Sequence, residues 1–206
     1  MTMYEGQIIS AIDSIPIGDD LAYLILTGKM EETIRDLVAL ELRKLLSDDR
    51  EVAREWKKPH KPRCDLAILH EEDPELIVEF KHMYTFDPLP TREGTKSADR
   101  LPNMLKDDMK KRERQYSLKA EVLGVLLATH PSAKIDEKKY GHGLMKYSHK
   151  VNTTIDRLGG ADAVLDACKG RVKELIGAGR IVHSSERVIG KCFGVDVRMV
   201  FWVVGP

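Results

Sequence analysis

Residues 63–82 read RCDLAILHEEDPELIVEFKH, and three ionisable side chains, Asp65, Glu79 and Lys81, fall in or against its two apolar runs. The runs, 64–69 and 76–82, are rich in Ile, Val and Leu, and the polar stretch His70-Glu71-Glu72-Asp73-Pro74 separates them. Short apolar runs around a Pro-containing charged turn predict a β-hairpin. Residues two apart on a strand share a face, so Glu79 and Lys81 project together. Pairing of the two strands brings Asp65 beside them. Both runs are apolar on both faces for most of their length, which predicts a central place in a covered sheet. Charges removed from water there cost on the order of several kcal/mol each unless partners or a metal compensate them. Two carboxylates and an ammonium in such a place suit a divalent cation with a positioned positive charge beside it.

This arrangement resembles the active site of the PD-(D/E)xK nuclease superfamily. Its restriction-endonuclease-like fold carries an Asp near the start of one strand and (Asp/Glu)-x-Lys on the next. Asp65 and Glu79-Phe80-Lys81 stand at those positions, 14 residues apart, which suits a hairpin. The residue before the Asp is Cys64, with Pro62 two places earlier, so the literal Pro-Asp pair is absent. The resemblance implies that Asp65, Glu79 and the Phe80 carbonyl bind Mg²⁺, with Mn²⁺ able to substitute. Lys81 would orient or activate the attacking water and offset charge on the phosphate. Many members add a glutamate from the first turn of the helix before the Asp strand. Glu31, 34 residues ahead of Asp65, suits that place. Glu41 lies too near the helix end and suits a salt bridge to a neighbouring Arg or Lys; Glu31 itself also fits a helix-dipole role.

The elements needed to position these residues are legible in order. Residues 1–29 predict a short helix and a second apolar element, broken by Pro16 and by Gly18-Asp19-Asp20, packing on the core. A helix is expected over 30–47, its stripe marked by Ile34, Leu37, Val38, Leu42 and Leu45. A half-exposed strand follows over 51–56, then the hairpin. Residues 87–102 predict a loop. A helix over 102–116 comes next, with a thin apolar stripe (Leu105, Met109, Tyr116) and a charged face including Lys106, Lys110, Lys111, Arg112 and Arg114. That face reads either as solvated or as a track for phosphates. Residues 121–129 predict a buried strand, and the preceding helix supplies the crossover a parallel return requires.

The fold expected is α/β: a restriction-endonuclease-like αβββαβ core with a central mixed sheet flanked by helices, plus a C-terminal helical and β-hairpin extension. The chain divides into an N-terminal extension over 1–29, the nuclease-like core over 30–130, and a C-terminal part of the same domain over 131–206. In that last part, helices are predicted over 144–158 and 161–176, and strands over 181–183, 187–193 and 196–204. Gly190-Lys191-Cys192 lacks the upstream glycine and following Ser/Thr of a phosphate loop. His142 and His149 read as surface residues of a basic segment.

Composition bounds the reading. The 206 residues are 42% hydrophobic and 32% charged, which describes a soluble globular chain of one domain. No apolar run approaches the roughly 20 residues of a membrane helix. The opening MTMYEGQIIS lacks the n- and h-regions of a secretory signal. Cys64, Cys168 and Cys192 show no metal or disulfide spacing and favour a reducing cytoplasm. The 33 basic residues balance 33 acidic ones, so attraction to nucleic acid rests on local clusters. Residues 54–63, REWKKPHKPR, hold five basic residues against one acidic, and Lys57, Lys58, Lys61 and Arg63 are the phosphate contacts expected. Residues 134–150 hold five against two.

With these features, the resemblance implies a Mg²⁺-dependent endonuclease hydrolysing DNA, double-stranded DNA being expected and RNA left open, without membrane attachment and compatible with a homodimer. Restriction, defence and repair are the settings that fit. The alternative is a catalytically inactive module of the same fold that binds nucleic acid or a partner protein. A third reading gives the same trio to another anionic substrate.

Overall fold

The computed structural model describes residues 2–28, 30–90, 99–116, 120–140, 145 and 147–205. Helices α1 (Met3–Ser14), α2 (Asp19–Thr27) and α3 (Met30–Leu45) come first, then strands β1 (Arg50–Arg54), β2 (Leu66–His70) and β3 (Asp73–Tyr84). Helix α4 (Arg100–Tyr116) leads to β4 (Glu121–Pro131). Helices α5 (Glu137–Tyr140), α6 (Ser148–Leu158) and α7 (Ala161–Ile176) precede β5 (Ile181–Cys192) and β6 (Val195–Val204). The strands form one mixed sheet in the order β1-β2-β3-β4-β6-β5, with β3 and β4 parallel and the other neighbours antiparallel. This is an α/β fold with helices on both faces, and the hairpin lies inside the sheet.

Strand periodicity sorts the core into two layers. Leu76, Val78, Phe80 and Tyr84 of β3 face a cluster with Ile8, Ile12, Ile25, Ile34, Val38 and Leu42 of α1–α3. Ile77 and Met83 face the other way, toward Leu105 and Met109 of α4 and Leu165, Cys168 and Val172 of α7. Glu79 and Lys81 share the parity of Ile77 and Met83, so they enter the layer beneath α4. The first helix starts on a reciprocal cap between Thr2 and Glu5.

The last third of the chain completes the sheet. Strand β6 pairs along β4, and β5 lies outside it. Helix α2 meets β5: the Gly18 amide donates to the Ile189 carbonyl at 2.7 Å, and Asp19 accepts from the Lys191 amide at 2.7 Å.

Three differences from the sequence expectation have physical causes. The hairpin turn contracts to Glu71-Glu72, with Glu71 at φ 57°, and Pro74 enters β3 beside a register shift at Ile68/Leu69. A bulge tolerates the missing proline amide. Residues 181–192 form one strand, not two, because an edge strand accepts polar Ser184, Ser185 and Glu186 on a partly open face. Helix α4 begins at Arg100, keeping Pro102 in the first turn, where its missing N–H is harmless. Helix α6 begins at Ser148; Leu144 and His142 lie outside the described residues, as does 91–98 of the predicted loop.

Gly124 fixes how closely α4 approaches. It stands opposite Glu79 in the β3–β4 register, and a Cβ there would lie 2.6 Å from Met109 Sδ and 3.1 Å from both Leu105 Cδ atoms. Gly124→Ala is therefore expected to push α4 outward and cost about 1–3 kcal/mol. Urea unfolding checks this.

His130 supplies a second test. It is 1% exposed, its Nδ1 pairs with Thr85 Oγ1 at 3.0 Å, and burial together with nearby Arg198 pushes it down to about 4. Below its ordinary value of 6.5 the unfolded chain binds a proton that the folded chain refuses. Its contribution is full above pH 6.5 and is lost as pH falls toward 4, on the order of 3 kcal/mol. His130→Asn should flatten the decline of urea midpoints between pH 7 and 4.

Candidate functional site

Strand β3 outruns its neighbour. The β2–β3 register ends at Leu66↔Val78, whereas β3 continues along β4 to Tyr84. Beyond Val78, peptide groups on the β2 side of β3 have no strand to bond, and buried groups of that kind need other partners. Side chains supply them. Asp65 Oδ2 accepts from the Phe80 amide at 2.7 Å, and Glu31 Oε2 accepts from the His82 amide at 3.2 Å. Lys81 Nζ donates to the Phe80 carbonyl at 2.9 Å. Asp65, Glu31 and Lys81 thus meet along three consecutive peptide units of β3, although they come from a loop, a helix and a strand.

Glu79 and Lys81 are also engaged from above. Arg112 Nε donates to Glu79 Oε1, and Lys81 Nζ lies 3.1 Å from Asp108 Oδ2. Asp108 and Arg112 are one turn apart on α4, and Glu79 and Lys81 are two apart on β3. Helix and strand spacings match, so an acid and a base on each element pair crosswise. The side chains of Glu79 and Arg112 are 3% and 9% exposed, so this is a buried ion pair. Arg112 also donates to the Arg63 carbonyl at 2.6 Å and to Gln115 Oε1 at 3.2 Å.

Burial pushes the Glu79 carboxyl up to about 7, Asp65 adds to the rise, and Arg112 and Lys81 oppose it. Burial pulls Arg112 down, but Glu79 outweighs it and the net shift is upward. The two shifts pull the pair in opposite senses. A guanidinium does not release its proton in a protein, and the direct Nε–Oε1 contact favours the ionised pair. Burial raises Glu31 as well, with Lys81 opposing and Asp65 adding. Lys81 is drawn down by burial, yet Glu31, Asp65 and Asp108 together raise it. The site is an acidic cluster held around a protonated lysine.

The basic loop rises from the same end. Glu55, at φ 54°, donates its amide to the Asp65 carbonyl at 2.9 Å, and the Cys64 amide donates to the Trp56 carbonyl at 2.9 Å. These bonds close residues 56–64 into a loop whose base is Asp65. Buried Arg35 of α3 pairs with Glu55, which also pairs with Arg63 at 2.6 Å. Of the expected phosphate contacts, Lys58 pairs with Asp73 at 2.7 Å, and Lys61 lies 6.0 Å from the Tyr116 ring centroid. Lys57 is exposed.

The structure therefore brings Glu31, Asp65, Glu79, Phe80 and Lys81 to one end of the sheet, with Lys57, Lys58, Lys61 and Arg63 in the adjoining loop. Glu41 pairs with Lys44 at 2.7 Å instead. His149 is exposed on α6. Sequence reasoning missed Asp108, Arg112 and Arg35. Residue type groups Arg112 with a charged face that reads either as solvated or as a track for phosphates, yet it is 8% exposed. Its position, seven after Leu105 and four before Tyr116, placed it on the buried stripe.

Two carboxylates and a peptide carbonyl are hard oxygen donors of the kind magnesium prefers, and magnesium retains waters at its other positions. That donor chemistry suits the ion. Among the described residues, however, no group of three or more His, Cys, Asp or Glu side chains is placed to hold a metal. Glu79 Oε1 and the Phe80 carbonyl are at present occupied by Arg112 and Lys81. No helix among the described residues is long and apolar enough to cross a membrane. Comparisons with protein-family models, curated proteins and solved structures give no match to this chain.

Removing Glu79 or Asp65 should have unequal costs. Glu79→Ala strands a buried guanidinium, which costs about 3–5 kcal/mol. Asp65→Ala removes one acceptor from a peptide amide, worth about 1–3 kcal/mol, and relieves repulsion among the acids. Urea titrations should show the Glu79 variant as the less stable, by about 2 kcal/mol at the centres of these ranges.

Proposed function

We propose that this chain acts on nucleic acid at the open end of β3, as a metal-dependent nuclease hydrolysing DNA phosphodiester bonds. The observation that carries the reading is the meeting of Glu31, Asp65 and Lys81 on consecutive peptide units of β3 beside Glu79, with a basic loop based on Asp65. The order of helices and strands agrees with the PD-(D/E)xK resemblance that the motif suggests. In this reading Asp65, Glu79 and the Phe80 carbonyl would hold Mg²⁺ or Mn²⁺. A bound divalent ion would supply an activated water and neutralise the scissile phosphate. Lys81, held protonated among three acids, would orient that water and stabilise negative charge growing on phosphate. The basic loop would bind the phosphate backbone in a salt-dependent way.

A specific observation favours a second reading. Glu79 and Lys81 are already compensated by Arg112 and Asp108, and no three-acid metal group lies among the described residues. A catalytically silent module of this architecture, binding nucleic acid or a partner protein, needs no rearrangement of those pairs. As the site stands, the geometry fits this second reading with fewer changes than the first.

One experiment separates them. Plasmid, single-stranded DNA and RNA are each incubated with Mg²⁺, Mn²⁺ or EDTA, and binding is measured in parallel by fluorescence anisotropy. The nuclease reading expects metal-dependent cleavage of DNA that Lys81→Ala lowers by about 10²–10³ with little change in affinity. Neutralising Lys57, Lys58 and Lys61 should weaken binding while sparing cleavage at saturating substrate. Binding without cleavage under every metal condition establishes the silent module. Equal cleavage by wild type and Lys81→Ala removes the site from the reaction.

A further inference from the structure

We propose that Arg112 is the positioning residue of this site, a single guanidinium that sets the Glu79 carboxylate and the end of the basic loop relative to each other. The inference rests on the nucleic-acid reading above and assigns a role to a residue outside the Asp/Glu-x-Lys motif. Arg112 has three acceptors on three segments: Glu79 Oε1 on β3, the Arg63 carbonyl at the loop's end, and Gln115 Oε1 on its own helix. An arginine holds several acceptors at fixed angles because its donors form a planar fork. The Arg63 carbonyl lies two residues before Asp65, and the adjacent Cys64 amide closes the loop on Trp56 at 2.9 Å. Fixing that carbonyl therefore fixes the loop's return into Asp65. Arg112 engages one Glu79 oxygen, Oε1. It thus orients the carboxylate without enclosing both oxygens in a bidentate pair.

Position and packing explain why the residue can do this. Arg112 follows Leu105 by two turns on the buried stripe of α4, and Gly124 lets that helix lie close over Glu79. Its 8% exposure excludes it as a direct phosphate contact in this arrangement. Its effect on ligand must pass through Glu79 and the loop. A lysine offers one ammonium on a flexible stem and cannot span the same acceptors. The role consequently predicts that charge alone does not substitute for the fork.

The test uses the full chain, wild type, Arg112→Met, Arg112→Lys and the exposed control Lys110→Met. Mn²⁺ binding is followed by calorimetry, and hydrogen exchange is measured over 55–64 with β4 amides as the internal reference. Outer partners of metal ligands typically contribute about 10–100-fold to metal affinity. Both Arg112 variants should lose Mn²⁺ affinity by about that factor, and exchange over 55–64 should accelerate at least about tenfold relative to β4. Lys110→Met should match wild type in both measurements. Arg112→Lys retains the charge and guards against misreading a folding failure of Arg112→Met; circular dichroism verifies each fold. Unchanged exchange over 55–64 in Arg112→Lys overturns the proposal. So does Mn²⁺ binding by Arg112→Met at or above wild-type affinity, which would make Arg112 a competitor for Glu79. If wild type takes up no Mn²⁺, the metal reading fails, while the exchange comparison still decides the link between Arg112 and the loop.

Discussion

The site exists because β3 is longer than the strand beside it. Peptide groups beyond Val78 lose their ladder on the β2 side, in a place where water does not replace it freely. Strand ends of this kind are usually shortened, bulged or covered. Here the sequence fills the gap with charged side chains, and the chain's entry into β2 delivers the first of them. Asp65 reaches the Phe80 amide from the residue immediately before β2. Glu31 reaches the His82 amide from the second residue of α3. A backbone obligation thus gathers acids at one spot, and their mutual repulsion makes a cation there favourable. Lys81 is the cation the chain itself provides.

The opposite side of the same strand carries the second half of the arrangement. Burying Glu79 under α4 is costly without a partner, and Arg112 supplies one from the helix whose approach Gly124 permits. The crossed pairs with Asp108 and Arg112 work because helical i, i+4 and strand i, i+2 neighbours each line one face. Replacement by apolar residues of equal volume would commonly be neutral or stabilising. Stability alone therefore does not account for four charges in the α4 layer.

The hairpin, the crossover helix and the convergence of Asp65, Glu79 and Lys81 could be read from the sequence because each depends on local periodicity. Ile, Val and Leu runs define the strands, and the Glu-x-Lys spacing sets a shared face. Glu31 was legible only through the resemblance, since nothing local says that a helix residue meets the His82 amide. Arg112 shows a different failure. Its charge suggested solvent, whereas its place between Met109 and Tyr116 put it on the buried stripe. Residue type and helical phase disagreed, and phase was the better guide because Glu79 waited below. The single strand β5 was hidden for a related reason. Polar Ser184, Ser185 and Glu186 interrupt the apolar pattern, but backbone pairing to β6 does not require them to be apolar at an edge.

Overall neutrality also acquires a structural meaning. Around the loop, two of the four cations expected to meet phosphate are matched by acids, Lys58 with Asp73 and Arg63 with Glu55, and neighbouring Arg54 pairs with Asp36 at 2.6 Å. Exposed pairs of this kind contribute little to stability, about 0–1 kcal/mol each. Phosphate can therefore compete for their cations at small cost. The field of a paired cation is cancelled a few ångströms away, and screening limits its reach to about 8–10 Å at physiological salt. In the proposed nucleic-acid reading, binding under these conditions would depend on a backbone placed close enough to take over individual cations. That requirement would put the weight of recognition on the loop's geometry, which its two closing hydrogen bonds and the Arg35–Glu55–Arg63 network hold in place.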